Sequence, residues 1–270
     1  FSSSSTTILP SNTDKVFLAL YYESLCPYSA NSIVSYLNKL VEDDELLSIV
    51  NLYLSPWGNA KFRGNDTFFC QHGPYECLLN TVEVCAVHAW PKLEDHFPFA
   101  YCVERLVYER KYPEWESCFK ELGLDPRAVS ECYTGGGYGD DLELKYAAET
   151  NAPEPPHNYV PWVVVDGQPL YEITWWNSGI TLFFFWDYED FITYLCKAYK
   201  DIATPKACSK PSGYSIQRPK AKSIPPVCYR DTIISTLLEQ IKSAISLWMQ
   251  YKAIRAASAC VHLNSIYFPV

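Results

Sequence analysis

The sequence predicts an α/β fold carrying a cysteine-rich helical insertion, and three observations lead there. A β-rich apolar run, Val16 to Tyr22, passes through a cysteine turn into a helical pattern and a second apolar run, making a β-α-β unit within about 40 residues. From 62 to 151 the pattern turns mostly helical, and six of the eleven cysteines lie between Cys70 and Cys132. After the proline cluster at 153, 155 and 156, a buried strand follows over Tyr159 to Gly167, and then a final helix.

Taken in order, Val16 to Tyr22 reads as a buried strand because it is unbroken β-branched, aromatic and aliphatic sequence. Ala30 to Leu40 places Ile33, Val34, Leu37 and Leu40 at helical spacing and closes at the acidic run 42–45. Leu46 to Leu54 is predicted as the second strand, ended by Ser55, Pro56, Trp57 and Gly58. A short helix is expected over Asp140 to Glu149, after the glycine run at 135–137. Gln168 to Tyr171 is expected to pair back on the Tyr159 to Gly167 strand across its Asp-Gly turn, and Tyr188 to Tyr199 returns to helix. Past Cys208 the chain becomes basic and proline-broken, with an amphipathic helix predicted over Thr232 to Ile254.

The composition narrows the function class. With 270 residues, 48 % of them apolar and 20 % charged, the chain has material for a sizeable core, so neither a disordered tail nor a stapled peptide is expected. A net charge of −9 opposes a phosphate-backbone partner, and no nucleic-acid binding is expected. No apolar run reaches the roughly 18 residues a membrane span needs, so no transmembrane segment is predicted. Eleven cysteines exceed what a reduced cytosolic enzyme usually keeps and point to an oxidising compartment. The opening Phe-Ser-Ser-Ser-Ser-Thr-Thr, without methionine, fits the end of a removed signal segment, and Asn65 with Thr67 forms an N-glycosylation acceptor for a secreted chain.

The chemistry concentrates at Cys26, Pro27, Tyr28 and Ser29, between strand and helix. A cysteine in a first helical turn meets free backbone N–H groups and the positive helix end, which favour its thiolate; the competing reading is a structural, bridged cysteine. Val160-Pro161 opens the strand expected to lie beside that thiol, where a cis proline would present a backbone edge to a substrate chain. Cys70, Gln71, His72, Gly73, Glu76, Cys77, Asn80 and Cys85 form a patterned cluster. Local bridges pinning a loop are the preferred reading, with His72 and Glu76 polar near its tip; zinc held by Cys70, His72, Cys77 and Cys85 is the alternative. The glycine run lacks the Lys-Ser/Thr of a phosphate loop, so no nucleotide, metal or other cofactor is predicted.

These residues resemble the gamma-interferon-inducible lysosomal thiol reductases, whose signature C-Q-H-G-x-x-E-C-x-x-N-x-x-x-x-C is matched at every fixed position from Cys70 to Cys85. The resemblance covers roughly 14–172 and 187–208. It implies a thioredoxin-like fold over 14–208 with a helical insertion at about 62–151, and a glycoprotein of the secretory pathway, in a lysosome or vacuole or outside the cell. It also implies reduction of protein disulfides, with Cys26 attacking and Tyr28, Val160 and Pro161 lining the substrate. Residues 173–186 read as an extra aromatic segment, from a retained intron or a hydrophobic loop, and 209–270 as an extension without family counterpart.

One departure governs mechanism: Ser29 stands where the family has its resolving cysteine. A hydroxyl can hydrogen-bond a thiolate but cannot take over a sulfur–sulfur bond. The expectation is therefore a thiol oxidoreductase with a single nucleophilic cysteine, dependent on a small-molecule thiol. If the ten other cysteines pair, Cys26 is the free one. The alternative is a catalytically impaired, chaperone-like binding protein for unfolded or disulfide-containing chains.

Overall fold

The computed structural model describes residues 15–62, 68–135, 138–153, 156–170, 172–176, 179–183, 188–200, 205–209 and 227–230. Asn65 and the predicted helix over 232–254 lie outside them. The chain divides into two units, Phe1–Cys228 and Tyr229–Val270.

Strand β1 (Val16–Tyr22) is buried along its whole length, as a strand covered on both faces must be. It leads into one helical stretch, α1, built from Pro27–Asn31, a π-helical turn at Ser32–Leu37 and Asn38–Val41. A short helix α2 (Asp44–Ser48) follows, and β2 (Val50–Pro56) runs parallel to β1 in register Val16 to Val50. The predicted second strand therefore begins four residues late. Asp43 explains it: its side chain accepts from the Glu45 and Leu46 backbone N–H groups and caps a helix where the sequence read as strand.

The insertion contains the small hairpin β3 (Lys61–Phe62) and β4 (Phe68–Phe69), then α3 (Pro74–Ala89), α4 (Leu93–Tyr108), α5 (Ser117–Leu122), α6 (Arg127–Thr134) and α7 (Tyr138–Asn151). The chain then returns through β5 (Tyr159–Val160), β6 (Trp162–Val165) and β7 (Gln168–Pro169). β6 is antiparallel to β1 and β7 antiparallel to β6, giving the sheet order β2-β1-β6-β7. This 2-1-3-4 order, with a parallel first pair and an antiparallel second, is the thioredoxin-like arrangement. Residues Glu172–Trp176 (β8) and Gly179–Phe183 (β9) of the extra segment form an antiparallel hairpin, and α8 (Tyr188–Ala198) closes the layer. A last short strand, β10, opens at Cys228 (Cys228–Tyr229).

Among the described residues, two large apolar clusters hold this together, beside a smaller one around Trp57 and Tyr146. Leu18, Leu20 and Tyr22 of β1 meet Ile33, Leu37 and Leu40 of α1, Leu52 and Leu54 of β2, and Phe191 and Leu195 of α8. In the insertion, Leu79, Val82, Phe99, Val103, Trp115 and Val129 form the second, which reaches Ala30 of α1. Disulfides Cys85–Cys132 and Cys102–Cys118 tie α3 to α6 and α4 to α5, and Cys196–Cys208 ties α8 to the turn after it. Closing a loop the size of the Cys102–Cys118 one contributes about 3 kcal/mol by restricting the unfolded chain. No helix among the described residues is long and apolar enough to cross a membrane.

Candidate functional site

The junction of β1 and α1 places Cys26 at the N-cap of the helix, with Pro27 in its first turn. Its carbonyl accepts from the Ala30 N–H at 3.0 Å, and its side chain is fully buried. The Val160-Pro161 peptide is cis, and Cys26 Sγ lies 4.0 Å from the Val160 carbonyl oxygen. Val160 is buried and Tyr28 exposed at the edge. The sequence-predicted thiol, helix end and proline strand thus come together.

One expectation is corrected. Cys26 is not free: it forms a disulfide with Cys228, 202 residues away. Ten of the eleven cysteines pair, and Cys260 lies outside the described residues. A partner so remote in sequence leaves no local pattern to find. Cys228 is half-buried, whereas Cys26 is inaccessible, and the strand that Cys228 opens pairs with β5, beside Pro161. Ser29 is also fully buried, and its hydroxyl has no hydrogen-bond partner among the described residues. Such a group costs about 1–3 kcal/mol until something bonds it.

The signature cluster is the second wall of this site. Cys70–Cys77 closes the loop that leads into α3, and Cys85 is bonded to Cys132. These bridges consume the thiolates that the zinc alternative required, so that reading fails. Gly73 adopts φ 92°, a conformation costly for any residue with a Cβ, and so turns the loop into the helix. Three residues on, Glu76 does not sit polar at the tip as expected: it is fully buried. Its carboxylate accepts from the Gln71 N–H at 3.2 Å, the His72 N–H at 2.7 Å and the His72 ring Nδ1 at 2.5 Å. Asn80, one turn further, accepts the Ser24 N–H on its Oδ1 at 2.9 Å and so clamps the β1–α1 loop two residues before Cys26.

The result is a directed imidazole. With Nδ1 on Glu76, His72 places Nε2 3.8 Å from Cys228 Sγ. Glu23 approaches the same ring nitrogen, its Oε1 3.6 Å from His72 Nδ1, and one ligand-type atom from each of Glu23, His72 and Cys228 falls within 4.8 Å of the others. Three residues here escaped the sequence reading. Glu23 is buried and accepts the Asn59 N–H at 2.8 Å. Asn59 Nδ2 donates to the Gln71 side-chain oxygen and to the Cys228 carbonyl, each at 3.0 Å. Gly58, at φ +59°, leaves no room for a side chain, since a Cβ there would stand 2.5 Å from Glu23 Cβ. The Pro-Trp-Gly turn was legible only as the end of a strand.

Beneath the site, Tyr22 and Ser24 both donate to Glu83, the latter at 3.0 Å. Burial pushes the Glu83 carboxyl up to about 7 and raises that of Glu104 well above the usual range, the neighbouring Glu83 adding to the second. Glu143, on α7, is raised by burial to about 8. Burial thus favours the protonated form of all three, more strongly as the pH falls.

Comparison with known proteins agrees with the motif. Residues 17–122 match the family model described as gamma interferon inducible lysosomal thiol reductase (GILT). The gamma-interferon-responsive lysosomal thiol protein of Arabidopsis thaliana is 38 % identical over 209 residues, spanning 77 % of this chain and 82 % of that protein. The gamma-interferon-inducible lysosomal thiol reductase of Mus musculus is 33 % identical over 208 residues, 72 % of each chain. The reduced form of the disulfide bond oxidoreductase DsbG from Mycobacterium tuberculosis superposes with a TM-score of 0.46 at 16 % identity, over 78 % of this chain and 92 % of that one. On the extent of the Arabidopsis and mouse matches, the chain belongs to the gamma-interferon-inducible lysosomal thiol reductase family.

Proposed function

We propose that this chain is a thiol–disulfide oxidoreductase of the secretory pathway, working in a lysosome or vacuole or outside the cell, that opens disulfides in protein substrates through Cys26. The observation that carries the reading is the seating of a polypeptide disulfide in the site. The Cys228 sulfur is bonded to Cys26 at the helix N-cap, on a strand paired with β5 beside Pro161, with its carbonyl held by Asn59. A substrate strand presenting a disulfide meets the same edge and the same donor.

In the reduced protein, the Cys26 thiolate is favoured by the open N–H groups and positive end of α1. It attacks one substrate sulfur, forms a Cys26–substrate disulfide and expels the other substrate sulfur as thiolate. His72 Nε2, aimed at the position now held by Cys228 Sγ, is placed to give that departing sulfur its proton, with Glu76 fixing the ring. The Ser29 hydroxyl, buried without a partner, acquires one when Cys26 becomes a free thiolate. The two electrons come from a small-molecule thiol: each cycle consumes two equivalents of it and leaves two substrate thiols and an oxidised small disulfide.

Insulin-disulfide reduction with a small thiol, at pH 5 and pH 7, tests this on the folded protein beside Cys26→Ser and His72→Ala. Turnover abolished by the first and slowed by the second is expected. Equal turnover by wild type and Cys26→Ser would overturn the assignment, and no turnover by folded wild type would leave the chaperone-like binding protein in its place.

A further inference from the structure

The family's resolving cysteine is missing at position 29, yet the nucleophile is found oxidised, and its partner is in this chain. We propose that Cys228 is the resolving cysteine, so that Cys26 and Cys228 together form the redox pair that C-x-x-C supplies elsewhere. This deepens, and rests on, the reading of Cys26 as nucleophile.

Three independent features of the site are built around Cys228 rather than around position 29. Asn59 Nδ2 holds its backbone carbonyl at 3.0 Å, and the same amide group grips Gln71 of the signature loop. His72 Nε2 approaches its sulfur to 3.8 Å, while the Ser29 hydroxyl has no partner among the described residues. Accessibility divides the two sulfurs: Cys26 is fully buried and Cys228 only partly. An incoming small thiol therefore meets the Cys228 sulfur first. The thiolate expelled is then that of Cys26, the better-stabilised leaving group at a helix N-terminus.

The cycle balances. Cys26 thiolate attacks the substrate disulfide, giving a Cys26–substrate disulfide and one substrate thiol. The Cys228 thiolate attacks Cys26 Sγ, the Cys26–substrate bond breaks, and the second substrate thiol departs with a proton as the Cys26–Cys228 disulfide forms. Two electrons have passed from the two cysteines to the substrate. Two equivalents of a small-molecule thiol reduce the pair and leave as a disulfide. Because the strand opened by Cys228 pairs with β5, the edge proposed above for a substrate strand, the product disulfide also closes the site until a thiol reopens it.

Single turnover without added thiol separates this from a monothiol enzyme. Protein treated natively with one equivalent of dithiothreitol, freed of reagent and shown by peptide mapping to carry thiols at 26 and 228, is mixed with excess disulfide-bearing peptide. Wild type is expected to release two peptide thiols per molecule and end with Cys26 linked to Cys228. Cys228→Ser and Cys228→Ala, checked for folding by circular dichroism, are expected to release one and stop as a peptide adduct on Cys26. Ser29→Cys in the Cys228→Ser background, which restores C-x-x-C, should return the count to two. Wild type that stops at one thiol with the adduct on Cys26 would overturn the role of Cys228 and leave the nucleophile standing. Absence of both adduct and release from every variant would overturn the nucleophile itself.

Discussion

Glu76→Gln is the substitution that most fully probes the site, because one buried carboxylate there serves three donors. It accepts from the Gln71 N–H, the His72 N–H and His72 Nδ1 at 3.2, 2.7 and 2.5 Å. Hydrogen bonds to a charged group contribute about 1.5–3 kcal/mol each. The amide keeps the shape and one acceptor oxygen but turns an N–H₂ group toward a donor that needs an acceptor. Both His72 donors share one oxygen, so the amide oxygen placed there keeps two bonds, weaker for the lost charge, and only the Gln71 N–H is left facing the N–H₂; removing a buried charge offsets part of this, for a net destabilisation of about 1–3 kcal/mol. The Cys70–Cys77 bridge keeps the loop closed, so the variant still folds. With its carboxylate anchor reduced to a neutral amide, the His72 ring is held less firmly toward the reacting sulfurs, and disulfide exchange slows about 10-fold, less than the roughly 100-fold or more expected for full loss of a general acid. Urea unfolding followed by tryptophan fluorescence gives the first quantity, and exchange by pre-reduced protein gives the second. A midpoint within about 0.5 kcal/mol of wild type, with an unchanged exchange rate, would refute the role assigned to Glu76.

Three further outcomes follow from neighbouring residues. Gly58→Ala, which forces a Cβ into a positive-φ position 2.5 Å from Glu23 Cβ, is expected to cost about 2–4 kcal/mol in urea unfolding and to slow exchange by displacing Glu23. Asn80→Ala removes the acceptor of the buried Ser24 N–H, and a loss of about 1–3 kcal/mol with faster proteolysis near 24 is expected. Stability should rise as pH falls from 8.5 toward 5, measured by thermal unfolding. Glu83 and Glu143, raised to about 7 and about 8, bind protons more tightly folded than unfolded, so their contribution is full below the unfolded value and is lost as pH climbs through the folded ones. For Glu83 alone the difference between plateaus is roughly 3 kcal/mol, and Glu83→Gln and Glu143→Gln should each flatten the profile. A profile falling with acid over this range would contradict the burial of these carboxyls as protonated groups.

Legibility from sequence followed the range of the interaction. β1 was plain because seven consecutive apolar residues, buried on both faces, leave one reading. The helix over Tyr138–Asn151 and the strand after Pro161 were likewise carried by local pattern. Within the acidic run, Asp43 is chemically no different from Glu42 or Asp44; only the two backbone N–H groups it accepts make it a cap, and so the start of β2 was misplaced. The π-helical turn in α1 has no signature in its residue types. At the site, the signature marked which residues matter but not what they do. Glu76 holds His72 across only four residues, through the turn that Gly73 makes into α3, whereas Asn80 holds Ser24 only because α3 lies against the β1–α1 loop. Glu23, Gly58, Asn59 and Cys228 were missed for the same reason: each acts only across a long chain separation, Cys228 across 202 residues. Covalent pairing is a property of the folded edge at β5, and sequence spacing contains no trace of it.

Whether Cys26 is the group that attacks protein disulfides is read from the mass of the trapped intermediate. Pre-reduced protein is mixed with a disulfide-bearing peptide, quenched in acid over a time course and mapped by intact and peptide mass. An early adduct of one peptide moiety on Cys26 is expected, absent in Cys26→Ser and persistent in Cys228→Ser. An adduct that forms at the same rate in Cys26→Ser, or that maps to another cysteine, would contradict it.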